Sequence, residues 1–185
     1  MKFSQLFKLL VLIFFLGIQG CSSDDSITDT GKNEEMKPLP TSKPIDTKTP
    51  IIWDGSKIIF TKEIGADPML EANQDRITEN IWLTRANSGG ELYNAKIETD
   101  AATNKSPLGT EWAKGAMASS DLSTLNFQSL RRTIRPFEII DQDLILHLIE
   151  EDIYMDIKFL SWSRGGKQGN SGGFSYERST ISQTP

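Results

Sequence analysis

Cysteine and histidine are nearly absent from this sequence, and each shortage excludes a class of site. The 185 residues include one cysteine and one histidine. The chain can therefore form no intramolecular disulfide and no zinc site that needs several cysteine or histidine ligands. It also lacks the G-K-[ST] signature of a phosphate-binding loop. A fold without such supports depends on the burial of an apolar core.

Basic residues are also in the minority. Lysine and arginine number 20 against 25 aspartates and glutamates, which gives a net charge of −5. An acidic surface repels nucleic-acid phosphates and anionic lipid head groups. We therefore predict no nucleic-acid partner, and any attachment to a membrane must come from something other than a basic surface.

The one long apolar run lies near the N-terminus. Lys2 and Lys8 precede the run Leu9–Ile18, which is too short to span a bilayer comfortably. This order is typical of a secretion signal. The next residues, Ile18-Gln19-Gly20-Cys21, resemble a bacterial lipobox. The resemblance implies that residues 1–20 are a lipoprotein signal peptide, cleaved before Cys21, and that lipid such as palmitate is attached to Cys21.

Residues 21–50 contain almost no large apolar side chains, so they cannot bury enough surface to fold. We predict a disordered linker, which the prolines between Pro38 and Pro50 stiffen. Asp24 and Asp25 resemble the acidic signal that directs some lipoproteins to the outer cell surface. That resemblance implies an outer-membrane lipoprotein exposed at the cell surface, whose lipid at Cys21 makes the membrane its partner.

Long amphipathic helices are absent from residues 51–185, whereas short strand patterns recur. Hydrophobic residues alternate in the segment IYMDIKFLSWS. This pattern predicts a strand with Ile153, Met155, Ile157 and Phe159 on the core face and Trp162 on the opposite face. A glycine-rich loop and the strand FSYERS follow, which predicts a long β-hairpin. The apolar run LILHLI is typical of a central strand buried on both faces. These patterns predict one mostly β domain, an antiparallel, jelly-roll-like β-sandwich.

Other segments give weaker patterns. Asp54-Gly55 separates two apolar runs, which predicts strand, turn and strand. The patterns also predict a hairpin around residues 87–90, a short helix or polar loop at residues 70–77, a helical turn at residues 110–118, and no definite element at residues 121–132.

The only histidine, His147, lies inside LILHLI, where a histidine is more often a core residue than a catalytic base. Acidic residues flank this run at residues 141–143 and 150–152. Such carboxylates could bind calcium, or two of them could cleave a glycosidic bond, but clusters of this kind usually mark solvated turns. We expect no cofactor, with calcium as the one open alternative.

Aromatic side chains are the more informative set, because all four tryptophans lie in the folded domain. Trp82 is expected in the core. An exposed tryptophan near arginine and asparagine could instead cover the apolar face of a sugar while the polar groups bind its hydroxyls. The sequence therefore predicts a ligand site beside the glycine-rich loop, formed by Trp162, Arg164, Asn170 and Tyr176.

The motifs WDG, ADPxxEANQDRIT, IWLTR, SPxGTEWA, HLIEEDIYMDIKFLSWS and GGFSYERST span Trp53 to Thr180. Together they resemble a recurring secreted bacterial domain with no assigned activity. The resemblance implies a β-rich module and adds no catalytic residue. Three functions stay open: a surface binding or adhesion module for glycans or a cell-surface protein, a structural envelope-interaction domain without a small ligand, and a carboxylate-dependent hydrolase.

Overall fold

The structure, a computed structural model, describes residues 49–101, 106–166 and 171–182. The predicted signal peptide, the lipidation site Cys21 and nearly all of the predicted linker lie outside these ranges. The described strands are β1 (Ile51–Trp53), β2 (Ile58–Lys62), β3 (Asp75–Arg76), β4 (Trp82–Ala86), β5 (Gly89–Asn94), β6 (Thr110–Lys114), β7 (Asp143–Leu148), β8 (Ile153–Trp162) and β9 (Phe174–Arg178). Helical turns are short: α1 (Leu130–Thr133), and 3-10 turns at Glu71–Asn73, Met117–Ser119 and Leu122–Thr124.

Two sheets form the described domain, and the predicted mostly β, antiparallel sandwich is confirmed. The larger sheet has the order β2-β9-β8-β7-β6, and β1 pairs in parallel with the first residues of β8. The smaller sheet has the order β3-β4-β5. One buried cluster of apolar side chains draws on both sheets, with Leu83 and Leu92 from the smaller sheet and Leu146 and Met155 from the larger.

The strand β7 lies between β6 and β8, and all its residues from Leu144 to Leu148 are buried. Its register with β8 places Leu144 opposite Ile157 and Leu146 opposite Met155. The prediction of a strand buried on both faces is therefore confirmed. The alternation of β8 is confirmed from Ile153 to Phe159, because every second residue of this stretch is buried.

The hairpin of β8 and β9 also forms as predicted, but the predicted face of Trp162 is wrong. The register shifts between Phe159 and Ser161, so that Leu160 is an extra residue in β8. Such a β-bulge reverses the alternation beyond it. Trp162 therefore pairs with the buried Phe174 and packs against the core on the same face as Phe159.

Two further expectations need correction. The strands on either side of Asp54-Gly55 form, but they do not pair with each other, since β1 joins β8 and β2 joins β9. The helical turn expected at residues 110–118 is mainly the strand β6. Pairing with β7 buries Trp112 completely, and this tertiary contact outweighs local preference.

A buried ion pair joins the two sheets. Asp75 of β3 accepts hydrogen bonds from the Arg178 guanidinium at 2.6 and 2.9 Å and from the Tyr176 hydroxyl at 2.7 Å. All three side chains are buried. Burial alone would lower the pKa of Arg178, but the hydrogen bonds and charge of Asp75 outweigh it and raise the pKa. Removing one partner would leave the other charge unpaired in the interior.

We therefore predict that Asp75→Asn lowers the free energy of unfolding by about 3–5 kcal/mol, the usual cost of breaking a buried pair. The matched control is Glu177→Gln, which removes the partly exposed ion pair between Glu177, the neighbour of Arg178 on β9, and Lys57 and should cost less than about 1 kcal/mol. Urea denaturation of both variants measures the difference. Equal losses would contradict a special role for Asp75.

Candidate functional site

A cavity of about 650 Å³ opens beside the end of β8. The β4–β5 hairpin, α1, the segment before β7 and the residues that follow β8 all contribute to its wall. A volume of this size suits a small-molecule ligand. The lining residues are Arg85, Gly90, Glu91, Arg131, Pro136, Phe137, Ile140, Trp162, Arg164 and Gly165.

Trp162 forms part of the wall and is held on several sides. Its ring meets Phe159 edge-on at a centroid distance of 5.6 Å and lies 6.2 Å from the ring of Phe174. The Arg85 guanidinium lies over the ring, with Cζ 4.0 Å from its centroid. Stacking of this kind fixes the indole orientation and adds a cation–π attraction. Trp162 is therefore a rigid, half-buried wall of the cavity.

Arg85 occupies an unusual position for a charged residue. It follows Leu83 on the inner face of β4, and its side chain is 2% exposed. Its Nε donates to the Gly90 carbonyl at 2.7 Å, and its Nη1 donates to the carbonyls of Ser163 and Gly173 at 2.9 and 3.1 Å. These bonds fasten the β4–β5 hairpin to the ends of β8 and β9. Burial lowers the pKa of Arg85 to about 10, and the charge of Glu91 opposes this shift.

The cavity carries an excess of positive charge. Arg131 of α1 pairs with Glu91 at 3.2 Å, whereas Arg85 forms no ion pair with any described residue. Arg164 is exposed at the rim. Three arginines therefore border the cavity against one glutamate, although the chain as a whole has a net charge of −5. The local charge favours an anion.

The rim of the cavity is apolar on one side. Phe137 is 74% exposed and Ile140 is 41% exposed. Both side chains are therefore accessible to a molecule that enters the cavity.

A second cavity, of about 470 Å³, shares Trp162 and Ile140 with the first and is also lined by Lys62. Lys62 is 1% exposed, and its Nζ donates to the Gly172 carbonyl at 3.3 Å. Burial and the charge of Arg85 lower the pKa of Lys62. Like Arg85, it forms no ion pair with a described residue. Two buried cations thus lie close to Trp162.

The structure brings together two of the four predicted ligand residues. Trp162 and Arg164 both line the first cavity, and Asn170 lies outside the described residues. The prediction that Tyr176 belongs to the ligand site is wrong. Tyr176 is fully buried, because its position on β9 faces the core and its hydroxyl donates a hydrogen bond to Asp75. It does not reach a surface ligand.

Sequence reasoning missed Arg85, Arg131 and Phe137. A signal existed only for Arg85, which alternates in phase with the buried Leu83 and so had to point inward. Nothing in the sequence indicates that Arg131 and Phe137 lie near Trp162.

His147 forms a separate cluster on the other face of the larger sheet. Its Nδ1 lies 2.8 Å from a Glu111 oxygen and its Nε2 lies 3.1 Å from an Asp152 oxygen. Its ring stacks on Tyr154 at 4.0 Å. Because a carboxylate occupies each ring nitrogen, His147 does not contact a hydroxyl nucleophile, and the geometry is not that of a serine-hydrolase triad.

The flanking carboxylates have separate roles. Asp143 pairs with Lys158 at 2.8 Å, and Glu151 accepts hydrogen bonds from Thr78 and Asn80. In the described part of the chain, no group of three His, Cys, Asp or Glu side chains could hold a metal ion. Calcium binding stays a prediction from the sequence.

We compared the chain with family models, with curated proteins and with solved structures, and none of the three comparisons found a match. Within the described ranges, no helix is long and apolar enough to cross a membrane.

The three tyrosines give a pH prediction. Burial is the main cause that raises the pKa of Tyr93, of Tyr154 (to about 12) and of Tyr176. An unfolded tyrosine ionises at about pH 10, so the unfolded chain releases protons first. The stability that depends on neutral tyrosine is therefore complete below about pH 10 and is lost as the pH rises above it.

Phenolate absorbance should thus rise near pH 10 in denaturant but not in the native protein. The variant Tyr154→Phe should show a shallower fall of unfolding free energy with pH above about 10. A native tyrosine that ionises at its ordinary pKa would contradict this result.

Proposed function

We propose that this protein is a surface-anchored lipoprotein whose β-sandwich binds a ligand in the cavity beside Trp162, with glycans as the ligand class. The observation that carries the proposal is the pairing of flat apolar surfaces with donors around one cavity. Phe137 and the part of the Trp162 side chain that lines the cavity offer aromatic surface, and Arg131 and Arg164 offer N–H donors. A sugar ring presents apolar C–H surface on its faces and hydroxyls at its edge, which is the complementary pattern.

The alternative of a hydrolase has less support. A pair of carboxylates must flank the glycosidic bond in most glycosidases. Among the described residues that line the first cavity, Glu91 is the only carboxylate, and it is paired with Arg131. A structural envelope domain, the other alternative, would bind no small ligand in the cavity. A binding measurement therefore distinguishes it from the proposed function.

The binding site is tested best at Phe137, because its side chain is mostly exposed and its loss should change stability little. The detergent-solubilised full-length protein is first applied to a glycan array. Phe137→Ala should then weaken binding of the retained glycan about thirtyfold, the usual loss for an aromatic anchor.

The matched control is Met69→Ala, which truncates a side chain of similar exposure that does not line the cavity. It should leave affinity unchanged. Retention of no glycan on the array would support the structural envelope domain instead. Equal affinities of both variants and the wild type would place the ligand elsewhere.

The anchor has its own test. Cys21 is the only cysteine and follows the lipobox, so Cys21→Ser should abolish incorporation of labelled fatty acid and release the protein from the membrane fraction. The control Ser22→Ala should keep both. Equal labelling of Cys21→Ser and wild type would exclude lipidation at this residue.

A further inference from the structure

The Arg85 guanidinium has donors that the fold does not use. Hydrogen bonds to described residues engage Nε and Nη1, and none engages Nη2. Nη2 is not among the fully buried polar atoms that lack a partner, so it keeps contact with solvent. Arg85 lines the first cavity, so a ligand held there could reach the unused donors.

A buried cation is usually paired with an acid, because removing a charge from water is costly. Arg178 follows this rule, with Asp75 as its partner. Arg85 and Lys62 do not, since neither has an acid within ion-pair distance among the described residues. Backbone carbonyls solvate part of Arg85 but do not neutralise it. An anion in the cavity would supply the missing charge.

We propose that the cavity ligand is an acidic saccharide, whose carboxylate accepts hydrogen bonds from Nη2 of Arg85 while Trp162 and Phe137 cover its apolar face. This inference rests on the proposed glycan binding and adds the charge of the ligand. Arg131 and Arg164 surround the same space and add to the attraction. Charge-assisted hydrogen bonds to carboxylates are stronger than neutral ones. A neutral sugar leaves the Arg85 charge without a counter-ion.

The test measures binding of three probes to the full-length protein in detergent: an oligogalacturonate, its neutral galactose counterpart and a sulfated galactan. We expect the oligogalacturonate to bind at least tenfold more tightly than the neutral oligosaccharide, since a hydrogen bond to a charged group contributes that much. The affinity for the oligogalacturonate should also fall as the salt concentration is raised.

The second part of the test uses charge variants at the cavity. Arg85 itself is not replaced, because it connects three segments and its loss could unfold the domain. Arg164→Gln should weaken oligogalacturonate binding about fivefold, and Glu91→Gln should strengthen it about fivefold. Each variant should change binding of the neutral probe less than binding of the oligogalacturonate, because only the acidic probe carries a charge. The control Lys114→Gln makes the same charge change at an exposed residue away from the cavity and should change neither affinity.

Each contrary result has a distinct meaning. Equal affinity for the acidic and neutral probes overturns the inference and leaves glycan binding in place. Tighter binding of the sulfated galactan than of the oligogalacturonate overturns the choice of a carboxylate. A loss in Lys114→Gln as large as in Arg164→Gln shows that overall charge, and not this cavity, attracts the ligand. If none of the three probes binds and the glycan array also retains nothing, the proposed function itself fails.

Discussion

The buried contact of Asp75 with Arg178 and Tyr176 is the interaction on which the arrangement of the two sheets depends. An apolar interface alone tolerates sliding, whereas three hydrogen bonds to one carboxylate have one geometry. The small sheet has only three strands and would bury little surface if it shifted. Because either charge is costly when unpaired in the interior, a shift of one sheet against the other that broke this contact would lower stability. The contact therefore holds the inner face of β9, which also carries Phe174 beside Trp162.

A second buried arginine, Arg85, also connects the two sheets, but its charge is accommodated differently from that of Arg178. Just before β9, Arg85 from β4 donates hydrogen bonds to the carbonyls of Gly173 and Ser163 but forms no ion pair with a described residue. At the end of β9, Arg178 has a full ionic partner. Gly173 and Arg178 are five residues apart along the chain, and the two contacts differ in whether the charge is neutralised by another described residue. The Arg178 side chain is neutralised and buried, whereas Arg85 has no ionic partner among the described residues and lines a cavity.

The sequence predicted the elements that depend on local alternation. β8, β7 and the β8–β9 hairpin follow from period-two patterns, because one face of each strand must reach the core. Three failures share a cause: the decisive interaction is distant in sequence. A bulge at Leu160, set by pairing with β9, reversed the face of Trp162. The position of Tyr176 beside the glycine-rich loop predicts a role in a surface site, whereas its hydroxyl donates to the buried Asp75, 101 residues away. The cavity itself combines four separate segments, and no pattern within one segment reveals the others.

The rigidity of Arg85 bears on how such a site gains affinity. Binding normally loses free energy when flexible side chains become ordered and when charged groups lose water. Here three carbonyls and the Trp162 ring already hold the guanidinium, and its burial removes most of its water before any ligand arrives. The ordering of the Arg85 side chain and the loss of its water therefore take place during folding, where burial of the apolar core compensates for their free energy. A carboxylate that enters the cavity meets a fixed, poorly solvated donor, so its hydrogen bond contributes more than the same bond to a mobile surface arginine would. Arg164 at the rim lacks this preorganisation, and we expect it to act mainly through long-range attraction, which salt screens.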